Sequence, residues 1–182
     1  IPGRALTIAL SILGARVQRL FTECLRLGHY PADWRRAKLV LLHKPGRPTE
    51  SPAAYRPICL LDDVGKLFER VIAARINKHL AERGPDLSEQ QYGFRRQRST
   101  MDAILSVRAL SEQAVSEGKV VLAVSLDIVN AFNSLPWRAI DEALTYHEVP
   151  PYLRNVLRSY LSDRSVCYPG RYGIMQERSV VC

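Results

Sequence analysis

Between Gly118 and Trp137 the chain reads KVVLAVSLDIVNAFNSLPW. Val120–Leu126 is almost wholly apolar, which predicts a strand covered on both faces of a sheet. A strand of that kind needs other elements packed on it, and no other stretch constrains the fold as much. It delivers Asp127 where the chain leaves the sheet, open to a cleft yet held by a rigid element. Such a carboxylate suits a hard divalent ion, since Mg²⁺ takes one or two protein carboxylates plus phosphate oxygens. Asp127 can equally cap the turn after the strand. Phe132 reads either as a core aromatic or as a wall for a sugar-sized ligand beside a metal.

The rest of the chain supplies what could pack around that strand. Leu6, Leu10, Leu13, Val17, Leu20 and Cys24 recur at helical spacing and predict a first helix over 4–27 facing a core, with Gly28 as its stop. The segments 37–44 and 55–61 read as two strands joined by a turn-rich loop, a hairpin with basic residues at its mouth. Val64, Leu67, Phe68, Val71, Ile72, Ile76 and Leu80 mark a long helix that Gly84-Pro85 ends. SEQQ (88–91) has capping-box spacing, and YGFRRQR (92–98) is a basic, aromatic loop. Ser99 or Thr100 can cap the next helix, with Ile104, Val107, Leu110 and Ala114 inward and Gly118 closing it. A further helix starts near Pro136, Pro150-Pro151 separates it from another, and 166–173 looks like a hairpin. This order reads as α+β.

The 182 residues are 47% hydrophobic and 24% charged, the composition of a chain that buries a core. A net charge of +8 favours a polyanionic partner. Cys24, Cys59, Cys167 and Cys182 lie far apart, without zinc or redox spacing, and read as reduced intracellular thiols. The apolar run after Arg4 is too short for a membrane span, which takes about 18 residues. It continues past Arg16 and Arg19 as an amphipathic helix rather than a signal peptide.

Two more groups could carry chemistry. Lys44 and Arg56 flank the loop between the predicted strands, with Arg47 inside it. Arginine binds phosphate bidentately and lysine as a point charge, so the pair could clamp a triphosphate. They could also be two solvated cations, as could Arg35, Arg36 and Lys38. In QYGFRRQRST, Gly93 allows close backbone approach. Arg95, Arg96 and Arg98 interleave with Tyr92 and Phe94, which suits phosphate contacts and base stacking on single strands. It could also be a charged helix entry anchored by its aromatics. An unrelated metal-dependent phosphotransferase is disfavoured, because there is no second aspartate two residues after Asp127 and no Walker-type glycine loop.

WRRAKLVLLHKPGR, YRPICLL, GKLFERVIAARI, LSEQQYGFRRQRST and SLDIVNAFNSLPW occur in that order. Together they resemble the reverse transcriptase domain of LINE-type (non-LTR) retrotransposons, nearest to arthropod elements that insert at specific chromosomal sites. IPGRAL resembles the segment after an early glycine-rich motif of that family. The resemblance implies a right-hand polymerase, with fingers over 1–118 and the beginning of the palm over 119–182. It implies RNA-directed DNA synthesis on an RNA template and a DNA primer, from deoxynucleoside triphosphates, with Mg²⁺ or Mn²⁺ as cofactor. Asp127 matches the first catalytic aspartate and metal ligand, and the backbone carbonyl of Ile128 a further ligand. Phe132 matches the aromatic that excludes a ribose 2′-hydroxyl. Lys44 and Arg56 match the residues that hold the nucleotide's triphosphate. Gln91, Gly93, Phe94 and Arg95 fall in the motif that lies along the template.

The family's Gly-x-Pro-Gln-Gly motif and its paired-aspartate hairpin are expected after Cys182, along with a thumb and an endonuclease domain. One carboxylate cannot hold two ions in catalytic geometry, so the chain alone is expected not to polymerise. The alternative is a non-catalytic remnant that only binds nucleic acid. The full-length protein is expected in the nucleus, with no membrane association.

Overall fold

The computed structural model describes residues 3–128 and 131–180. The chain forms two compact units. Unit 1 comprises Ile1–Gly84 and Leu135–Cys182, and unit 2 comprises Pro85–Ser134.

Unit 1 begins with helix α1, Gly3–Leu27, which ends at Gly28 with a φ of 62°. That glycine takes the left-handed position that closes a helix, and a Cβ there would lie 2.6 Å from the Asn155 Cβ. A helical turn, α2 (Ala32–Arg35), leads into β1 (Arg36–His43) and β2 (Tyr55–Leu60), which pair antiparallel. Helix α3 follows over Asp63–Glu82, and the Asp62 carboxylate caps it by accepting from the Val64 amide at 2.8 Å. After the insertion of unit 2 come α6 (Trp137–Tyr146), α7 (Pro151–Leu161) and a second hairpin, β3 (Ser165–Pro169) with β4 (Met175–Ser179). The first and second hairpins, the long helix and the Pro150-Pro151 break therefore lie where the sequence predicts them. The sequence does not announce the join between the hairpins. Arg36–Lys38 pairs parallel with Ser165–Cys167, giving one mixed sheet in the order β2-β1-β3-β4.

The core of unit 1 is aromatic. Phe68 and Tyr30 are fully buried, with ring centroids 5.4 Å apart, and Phe21 and Trp34 close on them at 4.8 and 5.8 Å from Phe68. Ile72 from α3 and Leu153 and Val156 from α7 complete it. On α1 the buried residues are Phe21, Cys24 and Leu25, with Val17 packed against them, whereas Leu13 and Leu20 are 38% and 46% exposed. The stripe expected through Leu13 and Leu20 is thus rotated. Val17, Phe21, Cys24 and Leu25 also recur at helical spacing, and burying an aromatic ring favours that face. Leu6 lies outside the described side chains.

Arg35 also departs from expectation. Its side chain is only 11% exposed, and Nη1 donates to the carbonyls of Ser159 and Ser162 at 3.1 and 2.8 Å. It is a clamp between α2 and the end of α7, not a solvated cation.

Unit 2 contains α4 (Thr100–Ser116) and the short α5 (Ala131–Ser134). Ser99 caps α4 as the sequence predicts, in a capping box with Asp102, while SEQQ, which has the same spacing, forms a turn in which the Gln91 amide bonds the Ser88 carbonyl at 2.9 Å. Two expectations fail here. Residues 119–128 form no strand and are exposed, Val120 at 97% and Leu126 at 90%. A strand exists only through its ladder, and among the described residues nothing pairs with this segment. The face of α4 expected inward is also open, with Ile104, Val107 and Leu110 each more than half exposed, and among the described residues no apolar layer covers it. Cys24, Cys59 and Cys167 carry free thiols. Among the described residues, no helix is long and apolar enough to cross a membrane.

Candidate functional site

The mouth of the first hairpin is built by its ladder. Leu42 pairs with Arg56 and His43 with Tyr55, and the Lys44 amide bonds the Ala54 carbonyl at 2.7 Å, so the pairing runs past the strand ends. Side chains alternate along each strand, so Lys44 and Arg56 stand on one face as diagonal neighbours. Lys44 Nζ donates to the Ala53 carbonyl at 2.8 Å, while Arg56 is exposed.

The residues just beside these cations brace the loop, a role the sequence analysis missed. His43 Nε2 meets the Arg47 carbonyl at 2.9 Å, and the His43 and Tyr55 rings pack edge to face at 5.3 Å. The Tyr55 hydroxyl donates to the Thr49 carbonyl at 3.0 Å. The Thr49 hydroxyl donates to Glu50 and lowers its carboxyl below the ordinary range. The available signal was position: 43 and 55 face each other across the last pair of the predicted strands. The resulting mouth is a pre-shaped basic edge suited to an anion.

In unit 2, Gln91, Gly93, Phe94 and Arg95 share the loop before α4. Arg95 closes it. Its Nη1 donates to the Leu87 and Ser88 carbonyls at 3.2 and 2.8 Å, and its Nη2 to Asp86 at 2.6 Å. Its guanidinium is therefore engaged by the loop itself. Phe94 is 96% exposed on a backbone with φ of 58°, a region that costs energy for a bulky residue. Arg98 sits over the Tyr92 ring at 5.6 Å. Gly93 has open space where a Cβ would stand. The loop thus holds an aromatic outward on an internally pinned frame.

Asp127 and Ile128 lie in the exposed 119–128 segment of unit 2, and Asp127 makes no hydrogen bond or ion pair among the described residues. The backbone of Phe132 belongs to α5, and its side chain lies outside the described part. Lys44 and Arg56 belong to unit 1. No group of three or more His, Cys, Asp or Glu among the described residues could hold a metal ion. One carboxylate and one carbonyl fall short of the oxygen ligands a two-ion site requires.

Known proteins supply the context for these pieces. The family model described as reverse transcriptase (RNA-dependent DNA polymerase) matches residues 42–180, from the hairpin to the end of β4. The chain is 37% identical over 147 residues to a probable RNA-directed DNA polymerase from transposon BS of Drosophila melanogaster, covering 80% of the chain and 16% of that protein. It is 33% identical over 159 residues to a Pol polyprotein from type-1 retrotransposable element R1 of Bradysia coprophila, covering 87% and 15%. It is 30% identical over 151 residues to the RNA-directed DNA polymerase from mobile element jockey of Drosophila melanogaster, covering 80% and 16%. The chain spans about one-sixth of the length of these curated relatives. On this evidence the chain belongs to the reverse transcriptase (RNA-dependent DNA polymerase) family, in the group carried by non-LTR retrotransposons.

Proposed function

We propose that the chain is part of an RNA-directed DNA polymerase, with fingers over 1–118 and the beginning of the palm over 119–182. The observation that carries this reading is the family match over 42–180, which includes both the basic hairpin mouth and Asp127. The ladder that places Lys44 beside Arg56 supports their holding the triphosphate of an incoming deoxynucleotide. Asp127 and the Ile128 carbonyl contribute to a divalent-metal site whose remaining ligands are not among the described residues. Mg²⁺ or Mn²⁺ there would stabilise charge on the phosphates during nucleotidyl transfer. Phe132 guards the sugar against a 2′-hydroxyl. Phe94, with Gln91 and Gly93, lies along the template, and Arg95 holds the loop in shape for it. RNA template and DNA primer are the polymeric substrates, and the full-length protein acts in the nucleus.

The test uses the full-length element protein with a primed RNA template. Asp127→Ala should abolish extension while leaving template affinity within about twofold. Lys44→Ala and Arg56→Ala should each raise the KM for deoxynucleotides by about tenfold or more, the loss expected for a charge-assisted hydrogen bond. Extension surviving in Asp127→Ala would sink the reading. A protein with no extension at all, whose Lys44 and Arg56 variants change only salt-dependent affinity, would be a binding remnant instead. The 182-residue chain by itself is expected to extend no primer, since it supplies one carboxylate of the metal site.

A further inference from the structure

The cations of α3 gather at a second place, away from the hairpin. Arg75, Lys78 and Arg83 are all exposed on its C-terminal half and the turn beyond it. With His79 and Tyr152 they line a cleft of about 430 Å³ against the start of α7. One Arg75 Nη1 donates to the Tyr152 hydroxyl at 3.2 Å, and its guanidinium lies over that ring at 5.8 Å. The stacking orients a planar fork at the cleft wall and leaves most of its donors open. Arg83 makes no side-chain hydrogen bond or ion pair among the described residues. The one carboxylate lining the cleft, Glu82, approaches Lys78 only to 4.0 Å. The first turn of α7 carries no acidic residue to offset the positive end of its helix dipole.

A comparison inside unit 1 shows that this is not generic surface charge. The wider cleft of about 700 Å³ at the far end of the hairpin sets Arg36, Lys38 and Lys66 against Asp33, Asp62 and Asp63. Its charges cancel in number. The α3–α7 cleft sets three permanent cations against one carboxylate, in a concave site with an oriented guanidinium.

We propose that the α3–α7 cleft binds the phosphodiester backbone of a nucleic-acid strand, as a surface separate from the hairpin mouth. It reads no bases, because its groups are phosphate-directed cations. This rests on the reading above that the chain handles nucleic acid, and it adds where a strand is held outside the nucleotide and template motifs.

The test measures binding of the 182-residue chain to a labelled single-stranded 20-nucleotide RNA, the same sequence as DNA, and their hybrid duplex, over a range of salt. The triple variant Arg75→Glu, Lys78→Glu, Arg83→Glu should weaken binding at least tenfold. It should also flatten the slope of log affinity against log salt by about two, as loss of three phosphate contacts requires. A charge-matched control, Arg16→Glu, Arg19→Glu, Arg26→Glu on α1, should cost markedly less. Lys78→Arg with Arg83→Lys, which keeps every charge and leaves the stacked Arg75 in place, should retain most of the affinity with an unchanged melting temperature, which separates charge from folding. The RNA, DNA and hybrid arms identify the strand the cleft prefers. Equal losses in the test and control variants would overturn the proposal. So would no measurable oligonucleotide binding by the wild type, or polyglutamate competing as well as the oligonucleotides. Loss of nucleotide use in Lys44 and Arg56 variants with an indifferent cleft would leave the polymerase reading standing and remove this one.

Discussion

Tyr30 is fully buried, so its phenol must find a partner in the core, and it donates to the Gly65 carbonyl at 3.1 Å. Burial pushes its pKa well above the ordinary phenol value, so it stays a neutral donor across the physiological range. Gly65 leaves the room: a Cβ there would come within 3.1 Å of the Trp34 Cβ and 3.2 Å of the phenol oxygen. Tyr30→Phe removes one hydrogen bond and no volume, and is expected to cost about 1 kcal/mol. Phe68→Ala empties the centre of the same cluster and is expected to cost about 3–5 kcal/mol. Urea unfolding of both variants checks the ranking, and equal costs would contradict the packing described. The apolar identity of Phe68 was legible in the helical repeat. The roles of Tyr30 and Arg35 were not, because both depend on distant partners: the Tyr30 phenol on Gly65, 35 positions on, and the Tyr30 amide and Arg35 guanidinium on Ser159, more than a hundred positions away. Nothing local distinguishes Arg35 from Arg36.

At the level of elements, local chemistry decided most of what the sequence disclosed. The long helices, the stop at Gly28 and the two hairpins follow from periodicity, caps and turn residues, which act over a few positions. The two capping-box candidates show where such signals run out. Ser88 and Ser99 are each followed three residues later by a side chain that could complete the box, yet only Ser99 starts a helix. Arg95 draws the Leu87 and Ser88 carbonyls into the loop, so the backbone at Ser88 serves a turn. At Ser99 the hydroxyl and amide both bond Asp102, which holds that carboxyl below its ordinary range. A depressed pKa means the cap contributes above the usual aspartate range and is lost as pH falls through the lowered value. Helicity of α4 should therefore fray in acid, and Ser99→Ala, which removes the hydroxyl but keeps the amide donor to Asp102, should weaken that pH dependence. The substitution itself should cost about 1 kcal/mol of helix stability. Hydrogen exchange at the Asp102 and Ala103 amides, followed from neutral pH downward, reads both effects.

On the scale of the whole molecule, unit 1 owns the buried aromatic core, and unit 2 exposes Ile104, Val107, Leu110 and most of 120–128. Backbone amides of α4 should therefore exchange at lower free energy than those of α3 and α7, in a separate cooperative step. A single step with equal protection would contradict the division. The apolar run of 120–126 promised a strand because its composition suits one, but composition cannot supply the neighbouring backbone that a strand requires. Likewise the Lys44–Arg56 pair could be seen as two flanking cations, while the α3–α7 cleft could not, since Tyr152 joins it from a distant helix. The parallel seam between β1 and β3 has one more consequence. It spans three residues on each side, and the contact between Arg36 and Cys167 bridges 131 positions of chain. Long-range closure of this kind is slow compared with forming helices and hairpins. During synthesis the first hairpin leaves the ribosome well before Ser165 exists, with the β1 edge unpaired. That edge is where a nascent chain of this protein is most open to a chaperone, or to the wrong strand.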